Sequence, residues 1–275
     1  MSKLTKAFIA LAFIASQAIV ITPSNALPNL TTKQTSSVKA LFTAFASSDP
    51  DKIAAASVKY TKAGSAARNF AEMVKNNHAT IRYFKSINVF GMPSGLAVTP
   101  EVKGKSTLSG SSVTLNSVND AFDGKFSDFT FDSAGKISNF KVATSAGKSS
   151  QKVSDRVFAI KQSVTTGAMF VTGGFVYKQP DAKTFIQLQV KNNSVSLKSW
   201  SYANGRFASA ENKYYPVVIA PTGCLYPGQT AFMQSTVADT PVVAAGTGAA
   251  FEAPTFEGCG DGSSVASSVF RFITG

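Results

Sequence analysis

The apolar positions of this chain change their period once, and the predicted elements follow from that change. Between residues 33 and 77 they recur at helical spacing. Val38, Leu41, Phe42 and Phe45 fall at i, i+3, i+4 and i+7, the stripe of an amphipathic helix. Ser48-Asp49-Pro50-Asp51 restarts the helix, with Asp49 as cap, Pro50 in the first turn and Asp51 at the positive end. Ile53, Ala56 and Tyr60 carry a second stripe that Gly64 is suited to stop. Ser65 then caps a third helix, with Ala66, Phe70, Met73 and Val74 as its buried side and Asn76-Asn77 as its end.

From His78 onward the pattern turns to strand. Ile81, Tyr83 and the run 84–90 read as extended, broken by Gly91-Met92-Pro93. Ser112 to Val118 predicts a short strand. Phe126–Phe131 and Lys136–Val142, joined by Asp132-Ser133-Ala134-Gly135, predict a hairpin. Helices followed by an antiparallel meander that can cover them define an α+β domain over residues 33–143. The small, polar and basic stretch 144–153 reads as a linker.

Residues 154–275 show no helical spacing. Strands are predicted at 157–164, 168–178, 184–191, 195–200, 214–219, 230–237 and 265–273, separated by Pro-, Asn- and Gly-bearing turns. The clearest alternation places Ile186, Leu188 and Val190 inward and Gln187, Gln189 and Lys191 outward. Short strands at this spacing predict an all-β sandwich of the immunoglobulin-like kind. The strands carry too few consecutive outward apolar positions for a membrane barrel.

The stretches Phe45…Ser48-Asp49-Pro50, Ala63-Gly64-Ser65-Ala66 and Phe129…Phe131-Asp132-Ser133-Ala134-Gly135-Lys136-Ile137…Phe140 resemble the N-terminal part of two-domain secreted proteins common in actinobacteria. Asn192-Asn193, Ser201-Tyr202-Ala203-Asn204-Gly205-Arg206 and Cys224-Leu225-Tyr226-Pro227-Gly228-Gln229-Thr230 resemble their C-terminal immunoglobulin-like sandwich. The resemblance covers most of the chain after the leader. It brings no catalytic residue, because no activity is assigned to those proteins.

Composition sharpens this picture. At 275 residues, 44% apolar and 15% charged, the chain can bury a sizeable core. Residues 1–26 read as a signal peptide: Lys3 and Lys6 precede the apolar run 7–21, and Ser24-Asn25-Ala26 predicts cleavage after Ala26. A secreted protein, free of the membrane after cleavage, is expected. The formal charge is +12; the leader's two lysines leave +10, a balance that attracts anionic partners. Five arginines among 27 basic residues, together with export, point away from nucleic acid and towards an anionic cell-wall polymer or another acidic surface.

Candidate chemistry is sparse. In an oxidising compartment the two cysteines, Cys224 and Cys259, predict a disulfide, and with one histidine they cannot complete a tetrahedral metal shell. No metal or cofactor is expected. His78 would have to serve any triad, and no G-x-S-x-G elbow is present. Ser36-x-x-Lys39 and Ser149-x-x-Lys152 lack the companion motifs of serine acyltransferases. Aromatic residues near basic ones remain, and Trp200, Tyr202, Arg206 and Tyr214 are the ligand-binding candidates. A non-enzymatic extracellular or cell-surface binding protein is the leading expectation. The alternatives are a hydrolase or isomerase with its site in a cavity of the N-terminal domain, and a structural adaptor.

Overall fold

The computed structural model describes residues 29–86, 104–117, 120–166, 169–200, 205–209, 211, 213–217, 219–220, 223–238, 243–258 and 264–275. The leader, residues 87–93, Tyr202 and Cys259 lie outside them.

Three helices open the described chain: α1 (Thr32–Ala46), α2 (Pro50–Tyr60) and α3 (Ala66–Ser86). At α1, Gln34 N donates to Thr31 Oγ1 and Thr31 N to Gln34 Oε1, a reciprocal capping box. Asp49 caps α2 by accepting from Asp51 N, with Pro50 in the first turn. Ser65 Oγ accepts from Arg68 N ahead of α3. The stripe Val38, Leu41, Phe42 and Phe45 is buried as its spacing requires. Helix α2 stops at Tyr60, short of Gly64, because Thr61 turns extended and bridges Ile137 in parallel.

Asn76-Asn77 does not end α3. The helix runs on to Ser86, so the extended segment expected from Ile81 is helical throughout its described part. Asn77, His78 and Thr80 are buried, extending the inner side of Phe70, Met73 and Val74 by another turn. A polar continuation of a buried stripe breaks the apolar periodicity without breaking the helix.

A five-stranded antiparallel meander follows: β1 (Lys105–Ser109), β2 (Ser112–Asn116), β3 (Gly124–Phe131), β4 (Ile137–Ala143) and β5 (Gln151–Lys152). The expected hairpin joins β3 to β4. Asp132 Oδ1 accepts from Ala134 N and Lys136 N, and Gly135 takes φ 77°, the left-handed conformation that the turn needs. Residues 144–153 form an exposed turn and then β5, which pairs with β4; Val153 enters the first core.

The rest is strand: β6 (Val157–Thr166), β7 (Met169–Lys178), β8 (Thr184–Asn192), β9 (Lys198–Trp200), β10 (Gly205–Ala208), β11 (Tyr214–Val217), β12 (Ile219–Ala220), β13 (Gly223–Leu225), β14 (Thr230–Val237), β15 (Gly248–Glu257) and β16 (Ser264–Thr274). They form one hydrogen-bonded path, β11-β10-β15-β16-β6-β7-β8-β14-β12, with β9 joining β13 to β15. The chain as described is α+β, with three helices and antiparallel sheets. The path folds over at β6, whose first residues pair with β7 and whose later ones pair with β16. The sheet therefore curls, and β11 meets β14. Trp200, Phe207, Phe251 and Phe270 from one arm meet Val176, Ile186, Leu188 and Val190 from the other in a second core.

Strands β10, β13 and β15 carried no clear sequence signal. The long central β15 has three alanines among its ten residues and contains Pro254. Pro254 is tolerated because it falls between the β10 pairing, which ends at Glu252, and the β9 pairing, which starts at Thr255.

Both faces of β8 are covered. Phe185 joins the first core, whereas Ile186, Leu188 and Val190 join the second. Gln187, expected to point to water, is fully buried instead, and its Nε2 donates to Met73 O of α3 at 3.3 Å. Helix α3 thus packs on the meander and on the curled sheet at once. Phe70 is its contact point, within 6.0 Å of the rings of Phe45, Phe122, Phe126, Phe140 and Tyr177. Phe70→Ala should lower the unfolding free energy by about 3–5 kcal/mol, measured by chemical denaturation.

Candidate functional site

The aromatic and basic residues singled out by the sequence divide between core and surface. Trp200 is fully buried in the second core, paired with Gly223 on β13 and Thr255 on β15, so it cannot stack on a ligand. A large indole is the natural filler where two arms of a sheet close on each other. Tyr202 lies outside the described residues. Arg206 and Tyr214 are exposed, and Tyr214 retains 62% of its accessible surface.

Register places those two on one face. Arg206 faces Pro216 and Ala208 faces Tyr214 across β10–β11, which makes Arg206 and Tyr214 diagonal neighbours. Arg206 also stands opposite Glu252 on β15, an opposite charge that reduces its pull on an anion. Tyr215, next in sequence, faces inward against Phe207, with the Lys213 ammonium 5.1 Å above its ring. Cys224 is disulfide-bonded, and its sequence partner Cys259 lies outside the described residues.

A group of buried polar side chains sits where the meander meets the curled sheet. Arg156 is buried there. Its Nη1 donates to Lys178 O at 2.9 Å and Gln179 O at 3.1 Å, and its Nη2 donates to Ser149 O at 2.5 Å. One guanidinium thereby holds the β4–β5 turn against the β7–β8 turn. Burial lowers the pKa of Arg156 and raises that of the neighbouring Tyr177 phenol. Tyr177 stacks on Phe122 at 6.4 Å. A small cleft of about 160 Å³ opens beside this junction, lined by Asp123, Thr144, Ser145, Gln179 and Asp181 among others. Arg156 follows the basic stretch 144–153 in the sequence, and nothing local marks it for burial. A buried arginine held by three main-chain carbonyls leaves no local signature.

His78, expected at a surface junction, is 3% exposed on α3, and its Nε2 has no hydrogen-bond partner. Burial pushes its pKa from 6.5 down to about 4. At neutral pH it is an uncharged residue enclosed by the fold, out of a substrate's reach. The space between the helices and the meander is filled by Phe42, Phe45, Phe70, Phe126, Phe129 and Phe140 in mutual ring contact. Among the described residues no Asp or Glu is buried, and no group of three His, Cys, Asp or Glu side chains is placed to hold a metal ion. No described helix is long and apolar enough to cross a membrane.

The solvent-facing charges are mostly lysines. On the outer face of the meander, Lys105, Lys125 and Lys152 are exposed and have no ion-pair partner among the described residues. Lys141, between them in register, pairs with Asp128 at 2.6 Å. Compared with family models, curated proteins and solved structures, the chain gives no match.

The buried histidine generates a pH prediction. Unfolded, it takes up a proton below about pH 6.5; folded, it does so only near pH 4. The unfolded state therefore binds more protons within that window, and stability falls as pH falls through it. The full effect is about 3 kcal/mol. Denaturant titrations at both ends of the window should show a larger loss for the native sequence than for His78→Gln. Equal losses would mean that His78 does not carry the effect.

Proposed function

We propose that the protein is a secreted, non-enzymatic binding protein that docks on an anionic extracellular or cell-surface polymer. The observation that carries this reading is the set of exposed lysines without an ion-pair partner among the described residues, Lys33, Lys59 and Lys62 among them, in a chain of net charge +12. Lysines held apart from carboxylates keep their full field for a partner outside the molecule. The leader-like N-terminus and the resemblance to two-domain secreted proteins of actinobacteria favour the same setting. Within this proposal the second half is an immunoglobulin-like sandwich, supported by the two arms of the curled sheet closing on Trp200. Of the residues first nominated for ligand contact, Arg206 and Tyr214 stay as secondary contacts and Trp200 is withdrawn. An enzyme with its site inside the N-terminal domain has little to rest on, because phenylalanine rings fill that interior.

The test is co-sedimentation of the protein, freed of its leader, with purified bacterial cell wall. Binding should be strong at low salt and lost at about 1 M salt, where screening acts within about 3 Å. Protein left in the supernatant at low salt would end this reading.

A further inference from the structure

One end of the first domain gathers positive charge from three separate elements. The β3–β4 turn lies there against the C-terminal end of α2 and the N-terminal end of α1. Lys136 Nζ donates to Val58 O, one of the last carbonyls of α2, at 3.2 Å. Lys59 follows directly and lies 5.2 Å from the centre of the Tyr60 ring. Lys62 N donates to Ile137 O at 2.9 Å, which sets this residue at the base of the same hairpin. From α1, Lys33 reaches Gly135 so closely that a methyl group added there would stand 3.9 Å from Nζ.

None of the four lysines has an ion pair among the described residues. Asp132, the acid of the turn, uses Oδ1 to accept from the main-chain N–H groups of Ala134 and Lys136. The acid of α2, Asp51, sits at the opposite end of that helix and is paired with Arg82 at 2.7 Å. Bringing like charges together disfavours the folded state, and packing alone does not require lysine at the exposed positions 33, 59 and 62.

We infer that this end, formed by Lys33, Lys59, Lys62 and Lys136, is the docking surface for a wall-borne polymer of repeating phosphodiester groups. The inference rests on the proposed function and gives it a place and a ligand class. Ammonium groups are compact point charges on flexible stems, and their spread over three elements suits successive single charges along a chain rather than one bidentate anion. The phosphodiester charge is also unaffected by pH in the ordinary range, so attraction does not depend on local acidity. Lys136 fixes the surface through its bond to α2, while the three exposed lysines make the adaptable contacts.

The experiment compares three proteins on two wall preparations, with circular dichroism to confirm that each is folded. The triple variant Lys33→Gln, Lys59→Gln, Lys62→Gln should bind intact wall roughly tenfold more weakly than the native sequence, with a salt slope smaller by about two. The control Lys105→Gln, Lys125→Gln, Lys152→Gln removes the same charge from the meander face and should lose no more than about threefold. Wall stripped of phosphodiester polymer by hydrofluoric acid should no longer retain the native protein. Equal losses in the two variants would overturn the location while leaving wall binding intact. Undiminished binding to stripped wall would overturn the phosphodiester ligand. Failure of the native protein to bind intact wall would remove the proposed function, and this surface with it.

Discussion

The structure depends on α3 having two apolar sides to cover. Its Phe70 is enclosed by rings from α1, the meander and the curled sheet, and Tyr177 of β7 stacks on Phe122 in the same aromatic group. With the helix placed this way, Gln187 of β8 donates from Nε2 to the main-chain carbonyl of Met73. The two halves consequently share a core, since Val157, Tyr177 and Phe185 pack with the helices and the meander. Arg156 reinforces the same junction from the edge by tying two turns together through their carbonyls.

Elements that answer to local rules were legible in the sequence. The capped start of α2, the Asp132–Gly135 turn and the stripe of α1 each follow from a few neighbouring residues. Elements that answer to tertiary context were not. Helix α3 runs past Asn77 with Asn77, His78 and Thr80 buried on its next turn, where polar side chains hide the apolar period. Strand β15 keeps Pro254 because its pairing partner changes at that point. Gln187 looked like an outward residue by alternation alone, yet the outer face of β8 is itself covered. The candidate site was less legible still. Aromatic character marked Trp200 equally well for a ligand platform or for a core, and burial decides for the core. The lysine end is assembled from α1, α2 and a hairpin turn and has no contiguous motif.

Core and surface divide the chemistry of this chain sharply. The groups that could do acid–base work, His78 and Tyr177, are inside and held neutral by desolvation. Outside, several lysines of the first domain, such as Lys33, Lys59 and Lys62, have no ion-pair partner among the described residues. Lysines left without carboxylate partners are the physical content of the proposed binding role.

Whether α3 unites the halves is open to a direct measurement. Trp200, the single tryptophan, reports the second core by its fluorescence, and helical circular dichroism reports the first domain. Followed together through denaturant, the two signals should trace one transition with a common midpoint. Two separate transitions, with the helices melting while Trp200 stays buried, would contradict the shared core.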